Sequence, residues 1–346
     1  MPFQVQNPDE IRVAFLGVGR MGMTHLRTLA GIRNARLVVV ADPDLEAARN
    51  GQRVSLADRA TTDALEAIAS PDVDAVIIVT PTSTHATLIE AALRGGKAIW
   101  TEKPIALSLA ETDRVVRIWR ETGLPVQLGF MRRFDPGYLR AKALIEAGEL
   151  GRIEQFRSTS RDTYPPDVKF IKNSGGSFLD MCVHDYDLAR WLVGEIEEVS
   201  AWGANIIDER FAEGGDIDTA VTMLRFESGA LGVVEMSRRS AWGYDIRTEV
   251  AGYDGKVVVE AHQKTSATFS RRFGFEGDHY ESFPDRFGDA YRIELEAFFA
   301  ALGEGRTPEP GPEEALATLR VSIAARQSWQ EGRPVKVADV TAESAG

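Results

Sequence analysis

A glycine-rich turn between an apolar strand and a helix constrains this chain more than any other feature. Residues 13–16 are apolar, and Gly17, Gly19 and Gly22 follow them in a G-x-G-x-x-G pattern. In a dinucleotide-binding unit the first glycine permits the tight turn, the second lets a pyrophosphate approach the backbone, and the third lets helix pack on strand. Free N–H groups at the helix start favour the negative charge. The pattern therefore predicts a parallel α/β domain that binds a dinucleotide.

An acidic residue stands where the adenosine ribose of that dinucleotide is expected. Residues 36–41 read as a second buried strand, apolar from Leu37 onward, and Asp42 follows it. A carboxylate at this spacing accepts hydrogen bonds from ribose hydroxyls. At about 4 Å and an effective dielectric near 20, it would disfavour a 2′-phosphate by roughly 4 kcal/mol. Pro43 follows where an arginine could have compensated, so NAD is expected rather than NADP. The alternative role for Asp42 is to cap the next helix.

Length and composition limit the classes of protein. A chain of 346 residues is too long for one typical core and fits two domains. The net charge of −12 argues against a nucleic-acid surface, and no apolar run reaches the roughly 20 residues that cross a bilayer. One cysteine excludes an intrachain disulfide, and residues 1–10 lack the basic and hydrophobic segments of a secretion signal. We expect a cytoplasmic protein with neither nucleic acid nor membrane as a partner.

Apolar stretches and helical patterns alternate through residues 1–127. This order predicts a doubly wound parallel sheet with right-handed crossovers, a Rossmann domain, whose ligands lie beyond the carboxyl ends of the strands. The residues at these ends are the predicted cofactor contacts: Gly17, Gly19, Arg20, Met21, Gly22, Asp42, Thr80, Pro81, Thr82, His85, Glu102 and Lys103.

The pattern changes at residue 128. Period-2 stretches and short turns predict that residues 128–340 form an α+β domain with a large, mostly antiparallel open sheet and one helix-covered face. Residues 177–193 read as one amphipathic helix, and residues 265–271 as one of the strands. Residues 291–302 and 312–330 read as two closing helices, and residues 341–346 as a frayed tail.

The helical stretch 177–193 carries the strongest candidates for chemistry. In one continuous helix, Asp180 and His184 stand four residues apart and share a face. A carboxylate beside an imidazole, whose usual pKa is about 6.5, supports proton transfer near neutral pH. The alternatives are a structural histidine bonded to its helix neighbour, or a metal site that includes Asp187. We expect no metal, because the sequence offers no second ligand cluster.

Other polar residues lie near the expected site. Lys103 ends a parallel strand and could stabilise a developing alkoxide, although an exposed lysine in a turn is the alternative. Of Arg132 and Arg133, one could bind substrate while the other pairs with Asp135 or another acid. Tyr244 could line a sugar site, but core packing explains it equally well. A polar loop that could overhang the site contributes Asp162, Tyr164 and Lys169.

Four motifs in this order resemble the Gfo/Idh/MocA oxidoreductase family, and the likeness spans essentially the whole chain. They are the triplet Gly17, Gly19 and Gly22, then Glu102-Lys103-Pro104, then Gly129-Phe130-Met131-Arg132-Arg133-Phe134-Asp135, then Gly175-Gly176 with Asp180 and His184. The run 131–135, the approach to the histidine and residues 242–245 are most similar to the bacterial inositol 2-dehydrogenase branch of that family.

The resemblance implies roles for the matching positions. His184 would be the general base, Asp180 would hold substrate and orient His184, and Lys103 would contact both substrate and the nicotinamide ribose. The implied substrate contacts are Lys103, Met131, Arg132, Asp162, Asp180, His184 and Tyr244. The family fold further implies a homo-oligomer, a dimer or a tetramer, formed through the open sheet of the second domain.

The expected reaction is therefore NAD-dependent oxidation of a cyclic polyol, myo- or scyllo-inositol, to its ketone, an inosose. Three alternatives remain open at this point. The chain could be an NAD(P)-dependent dehydrogenase of another sugar, an NAD-assisted glycosidase, or a non-catalytic NAD-sensing regulator.

Overall fold

The computed structural model describes residues 3–5 and 7–342, which form two compact units. The first unit contains the residues up to 134 together with 289–317, and the second contains 135–288 and the residues from 318 onward. The domain boundary expected after residue 127 stays a prediction. Of the expected frayed tail, residues 343–346 lie outside the described residues.

The first unit is built on a six-stranded parallel sheet. Its strand order is β3-β2-β1-β4-β5-β6, so strands are added on one side of β1 up to β3 and on the other side from β4 onward. This arrangement confirms the predicted doubly wound sheet, in which ligands bind at such a switch point. The strands are β1 (Ile11–Leu16), β2 (Ala35–Ala41), β3 (Arg59–Thr61), β4 (Ala75–Ile78), β5 (Ala98–Glu102) and β6 (Val126–Gly129). The helices are α1 (Arg20–Leu29), α2 (Leu45–Ser55), α3 (Ala64–Ala69), α4 (Thr82–Arg94) and α5 (Leu109–Thr122), and a 3-10 helix (Met131–Phe134) follows β6.

The central strands of this sheet are buried along almost their whole length. All four residues of β4 are buried, which is why the stretch reads as a continuous apolar run. A helix from much later in the chain, Gly288–Gly303, completes this core. Its Leu295, Phe298 and Phe299 belong to the same buried cluster as Phe15 of β1.

The second unit contains a seven-stranded sheet in the order β12-β11-β7-β10-β9-β8-β15. Only the pair β7 and β10 is parallel, which confirms a mostly antiparallel sheet. The seven strands are β7 (Ile153–Arg161), β8 (Ile196–Ala204), β9 (Thr219–Phe226), β10 (Leu231–Ser237), β11 (Asp245–Gly252), β12 (Lys256–Val259) and β15 (Val335–Lys336). Two further strands, β13 (Gln263–Arg271) and β14 (Gly274–His279), form a separate two-stranded sheet. The remaining helices are α6 (Pro136–Glu146), α7 (Val168–Asn173), α8 (Ser177–Asp180), α9 (Val183–Val193), α10 (Glu209–Glu213), α11 (Phe283–Arg286), α12 (Gly288–Gly303), α13 (Pro312–Glu331) and a 3-10 helix (Val337–Asp339).

One face of the seven-stranded sheet is covered by helices, as the alternating pattern predicted. Helix α9 packs on it through Tyr186, whose hydroxyl lies 2.8 Å from Thr222 Oγ1. Helix α6 does the same through Tyr138, 2.9 Å from Thr248 Oγ1. The opposite face is exposed and carries large apolar side chains that include Trp202, Val221, Met223 and Leu231.

Two expectations about local structure are wrong. Residues 265–271 do not join the large sheet; they belong to β13, which pairs with β14 in a separate exposed hairpin. The predicted helix 177–193 is two helices, α8 and α9, because the amide N–H groups of both Met181 and Cys182 donate to the Ser177 carbonyl and interrupt the ladder. No helix within residues 3–5 and 7–342 is long and apolar enough to span a bilayer.

Candidate active site

The glycine turn of the first unit has the geometry that a dinucleotide requires. Gly17 has a φ of +96°, and a Cβ there would lie 2.5 Å from the Val79 carbonyl oxygen. A Cβ on Gly22 would lie 2.0 Å from the Gly17 carbonyl oxygen. At Gly19, by contrast, no described atom outside its chain neighbours lies within 4 Å of a Cβ. Gly17 and Gly22 are therefore fixed by packing, whereas Gly19 opens onto the start of α1, where Arg20 and Met21 begin the helix.

Asp42 is tied directly to this turn. Its Oδ2 accepts a hydrogen bond from the Val18 amide at 2.7 Å, and its Oδ1 accepts one from the Asp44 amide at 2.9 Å. The cap of helix α2 is Asp44, whose carboxylate accepts from the Glu46 amide. The capping role that was the alternative for Asp42 thus belongs to its neighbour. The half-buried Asp42 carboxylate stands beside the glycine turn, where a ribose is expected.

His85 joins the ends of β4 and β5. The ring is buried, with Nδ1 2.8 Å from the Pro104 carbonyl oxygen and Nε2 2.8 Å from that of Thr80. Burial lowers the pKa of His85, although the two carbonyls oppose this, so the neutral imidazole donates to one of them. His85 therefore acts on its surroundings by fixing backbone. Pro81 and Thr82, the other predicted contacts here, start α4 at the surface.

Glu102 connects helix α1 to the backbone of Lys103. Its Oε1 lies 2.8 Å from His25 Nε2, and its Oε2 accepts a hydrogen bond from the Lys103 amide at 3.2 Å. His25 is fully buried, with its ring 4.7 Å from Trp100 and 5.2 Å from Tyr291. His25 was not predicted as a site residue, and the only signal for it was its place on the helix that follows the glycine turn.

Lys103, Met131 and Arg132 follow the carboxyl ends of β5 and β6, which are neighbours in the sheet. Lys103 is half-buried, whereas Met131 and Arg132 are buried in the 3-10 helix. Because the strands are parallel, these side chains belong to the same edge of the sheet as the glycine turn.

In the second unit, Arg238 brings together two of the predicted substrate residues. Its Nη1 donates to Asp162 Oδ2 at 3.2 Å and its Nη2 to Asp180 Oδ2 at 3.0 Å. Its Nε donates to Ser177 Oγ at 3.1 Å. Burial lowers the pKa of Arg238, but the neighbouring charges of Asp180 and Asp162 outweigh burial and raise it above the usual value. Arg238 was not predicted as a site residue, because no motif surrounds it.

The paired glycines before α8 make room for a second acid. Gly176 has a φ of +90°, and a Cβ there would lie 3.1 Å from Asp216 Oδ1. Asp216 accepts hydrogen bonds from both the amide and the hydroxyl of Ser177, each at 2.9 Å. This arrangement fixes the start of α8. Asp180 ends that helix, and His184 lies half-buried in the first turn of α9.

The acids that follow His184 are held by the protein. Asp185 is fully buried and accepts hydrogen bonds from Ser158 at 2.6 Å and Ser160 at 2.8 Å. Asp187 Oδ1 lies 3.5 Å from the Thr318 hydroxyl. Within the described part of the chain, no group of three or more His, Cys, Asp or Glu side chains could hold a metal ion.

Tyr244 lies in a turn that rests on the end of the exposed hairpin. Its amide donates to the Tyr280 carbonyl at 2.9 Å, and its half-buried ring meets Phe287 edge-on at 6.3 Å. The turn depends on Gly243, which has a φ of +101°. Tyr164 is exposed in the loop after β7, but the loop position expected for Lys169 is wrong, because Lys169 is exposed on helix α7. Asp135 caps α6, and its Oδ2 also accepts from Arg286 Nη1 at 2.7 Å.

Comparison with known proteins covers both units. Residues 11–130 match the Gfo/Idh/MocA model described as an oxidoreductase family, NAD-binding Rossmann fold, and residues 142–337 match its C-terminal alpha/beta domain. The chain is 41% identical over 330 residues to scyllo-inositol 2-dehydrogenase (NAD(+)) of Bacillus subtilis, spanning 95% of this chain and 96% of the relative. It is 37% identical over 332 residues to myo-inositol 2-dehydrogenase of Thermotoga maritima, spanning 95% and 99% of the two chains. The crystal structure of scyllo-inositol dehydrogenase from Lactobacillus casei with bound NAD(H) and scyllo-inositol superposes with a TM-score of 0.90, at 30% identity over 95% of this chain and 100% of that one.

Proposed function

This chain belongs to the Gfo/Idh/MocA oxidoreductase family, and we propose that it oxidises an inositol to the corresponding inosose with NAD as the hydride acceptor. The observation that carries the proposal is the 41% identity to an NAD-dependent scyllo-inositol 2-dehydrogenase across 95% of the chain. The network around Arg238 adds support, because it presents two carboxylates, suited to polyol hydroxyls, in one unit.

The first unit supplies the residues that would hold NAD. The glycine turn fits a pyrophosphate, since no described atom beyond its chain neighbours lies within 4 Å of a Cβ at Gly19. The Asp42 carboxylate, oriented by the Val18 amide, would accept hydrogen bonds from the adenosine ribose and repel a 2′-phosphate. When bound, NAD supplies the carbon that accepts hydride. His85 and Glu102 would act as positioning residues, because their polar atoms bond to the backbone or to His25.

The second unit supplies the general base. His184 would accept the proton of the reacting hydroxyl as the carbon below it loses hydride, so that an alcohol and NAD become a ketone, NADH and a proton. Lys103 would stabilise the negative charge that develops on the oxygen. Asp180 would hold the polyol and orient His184. Further hydroxyl contacts would come from Met131, Arg132, Asp162 and Tyr244.

The test is a panel of inositols and aldoses assayed for NADH formation near pH 9. We expect turnover with myo- or scyllo-inositol, and a loss of about 10²- to 10⁴-fold in His184→Ala with NAD affinity near that of the wild type. His262→Ala is the matched control, because that histidine is exposed. Normal turnover in His184→Ala would remove the assignment. Release of a sugar from a glycoside would favour the glycosidase, and NAD binding without turnover would favour the regulator.

We further propose that the exposed face of the large sheet forms a dimer or tetramer. Trp202 is directly opposite Val221, and Met223 is opposite Val233, so the apolar side chains are neighbours. Trp202 is 60% and Met223 52% exposed in the single chain, and patches of this kind mark association surfaces. Met223→Glu should lower the mass measured by light scattering, whereas Leu56→Glu, at an exposed leucine of the other unit, should not. A monomeric wild type would contradict the proposal.

A cytoplasmic location stays a prediction.

A further inference from the structure

Arg238 is more deeply buried than the two acids that it binds, Asp162 and Asp180. Its side chain is 4% exposed, whereas those of Asp162 and Asp180 are 25% and 20% exposed. The two acids are therefore more accessible to solvent than the guanidinium that binds them. A ligand that enters from solvent can reach the acids more readily than it can reach Arg238.

The three bonds of Arg238 end on two segments that are distant in the sequence. Asp162 follows β7, Ser177 starts α8 and Asp180 ends it, while Arg238 itself follows β10. A guanidinium is planar and presents its N–H donors in a fixed fork, so bonds in three directions define the orientation of every partner. Neither a lysine nor a water can hold two carboxylates and a hydroxyl in this arrangement.

The charges of the three groups also support a role for Arg238 in holding the two acids. Two carboxylates close to each other would repel and favour protonation of one of them. A cation bonded to both reduces that repulsion and keeps both ionised, so that all their oxygens stay acceptors for hydroxyl hydrogen bonds. A buried cation in turn needs such partners, because unpaired burial of a charge is strongly unfavourable.

We propose that Arg238 is a positioning residue for substrate binding: it keeps Asp180 and Asp162 ionised and in fixed orientations, and acts on the polyol only through them. This inference rests on the proposed function in assigning the two acids to a polyol. We therefore expect Arg238 to affect the KM for the polyol and the acidic limb of the pH profile, and to have no effect on NAD binding.

The experiment compares Arg238→Met and Arg238→Lys with Arg239→Lys, a control at the exposed neighbouring arginine. In Arg238→Met, kcat/KM for the polyol should fall about 10²-fold, mainly through KM, because the acids lose their orientation. Its acidic limb, which reports the general base His184, should move up by about one pH unit, since the cation beside Asp180 is gone while the charge of Asp216 remains. Arg238→Lys should raise KM and leave that limb in place, because it keeps the charge without the fork. Arg239→Lys should match the wild type, and the Kd for NAD should stay unchanged throughout.

A titration of the aspartate side chains by carbon NMR gives a readout independent of turnover. The Asp180 resonance, assigned by its loss in Asp180→Asn, should titrate about one unit higher in Arg238→Met than in the wild type. Unchanged KM and an unchanged Asp180 titration would overturn the inference while inositol oxidation by the wild type still stood. A parallel loss of NAD affinity, polyol affinity and melting temperature, with no shift of the pH limb, would show a purely structural role. A wild type that oxidises no polyol would refute the proposed function, and the titration would still decide whether Arg238 keeps Asp180 ionised.

Discussion

The two units build their candidate sites in opposite ways. In the first unit the contacts around the glycine turn are made with the backbone: Asp42 bonds to the Val18 amide, and Gly22 packs against the Gly17 carbonyl. In the second unit they are made between side chains, and Arg238 reaches acids 58 and 76 residues earlier in the chain. A site made of backbone is sensitive to added atoms, since the main chain cannot give way. A site made of side chains is sensitive to lost charges, since each group compensates another.

The largest effect that this comparison predicts is on cofactor choice. Asp42→Asn keeps an oxygen for the Val18 amide but removes the charge beside the ribose. The rejection of NADP should relax by up to about 10³-fold in the ratio of kcat/KM values, which corresponds to about 4 kcal/mol. Steady-state rates with both cofactors measure the ratio. Asp44→Asn is the control, because that acid caps α2 and should leave the ratio alone. An unaltered ratio in Asp42→Asn would place the ribose elsewhere.

The second effect, somewhat smaller, is on NAD affinity and thermal stability when glycines of the turn are replaced. Two glycines of the same motif, Gly22 and Gly19, are expected to respond differently. Gly22→Ala places a Cβ 2.0 Å from a carbonyl oxygen, and overpacking of this kind costs about 1–3 kcal/mol. It should lower both the melting temperature and NAD affinity, the latter about 10- to 100-fold. The added methyl of Gly19→Ala has no described atom within 4 Å beyond its chain neighbours, so this variant should lower NAD affinity alone. Gly31→Ala, whose Cβ would make only an ordinary 3.4 Å contact, should change neither quantity. NAD affinity that survives in Gly19→Ala would contradict the pyrophosphate assignment.

The same contrast explains which features could be predicted from the sequence. The glycine turn and the buried parallel strands were predictable because a backbone-built site needs fixed residue types at fixed spacing. Arg238 and His25 were not, because each meets its carboxylates only after distant segments fold together. The break between α8 and α9 also left no trace in the pattern, since residues 177–193 keep helical spacing on both sides of Met181. Nor does local pattern show that α12 packs in the core of the first unit.

The smallest effect concerns an ion pair of the first unit that is exposed, in contrast to Arg238. Arg59 Nη1 lies 2.8 Å from Asp72 Oδ2, and the side chains are 38% and 43% exposed. The bond from Arg59, with a further one from Ser70, lowers the pKa of Asp72 from 3.8 to about 2. Because the folded pKa lies below the unfolded one, the pair stabilises the fold above about pH 4, and this contribution is lost as the pH falls through about 2.

Solvent screening keeps that contribution small. Asp72→Asn should lower the free energy of unfolding by less than about 1 kcal/mol at pH 7, and by still less in high salt. The difference from the wild type, measured by urea unfolding, should shrink between about pH 4 and pH 2. Arg238→Met should lower the free energy of unfolding at pH 7 by several times that amount, because two partly buried carboxylates lose the cation that compensates their charge. Equal losses of unfolding free energy in the two variants would show that burial does not make the ion pairs of Arg238 stronger than the exposed pair of Arg59. The proposed contrast between the two units would then not hold for stability.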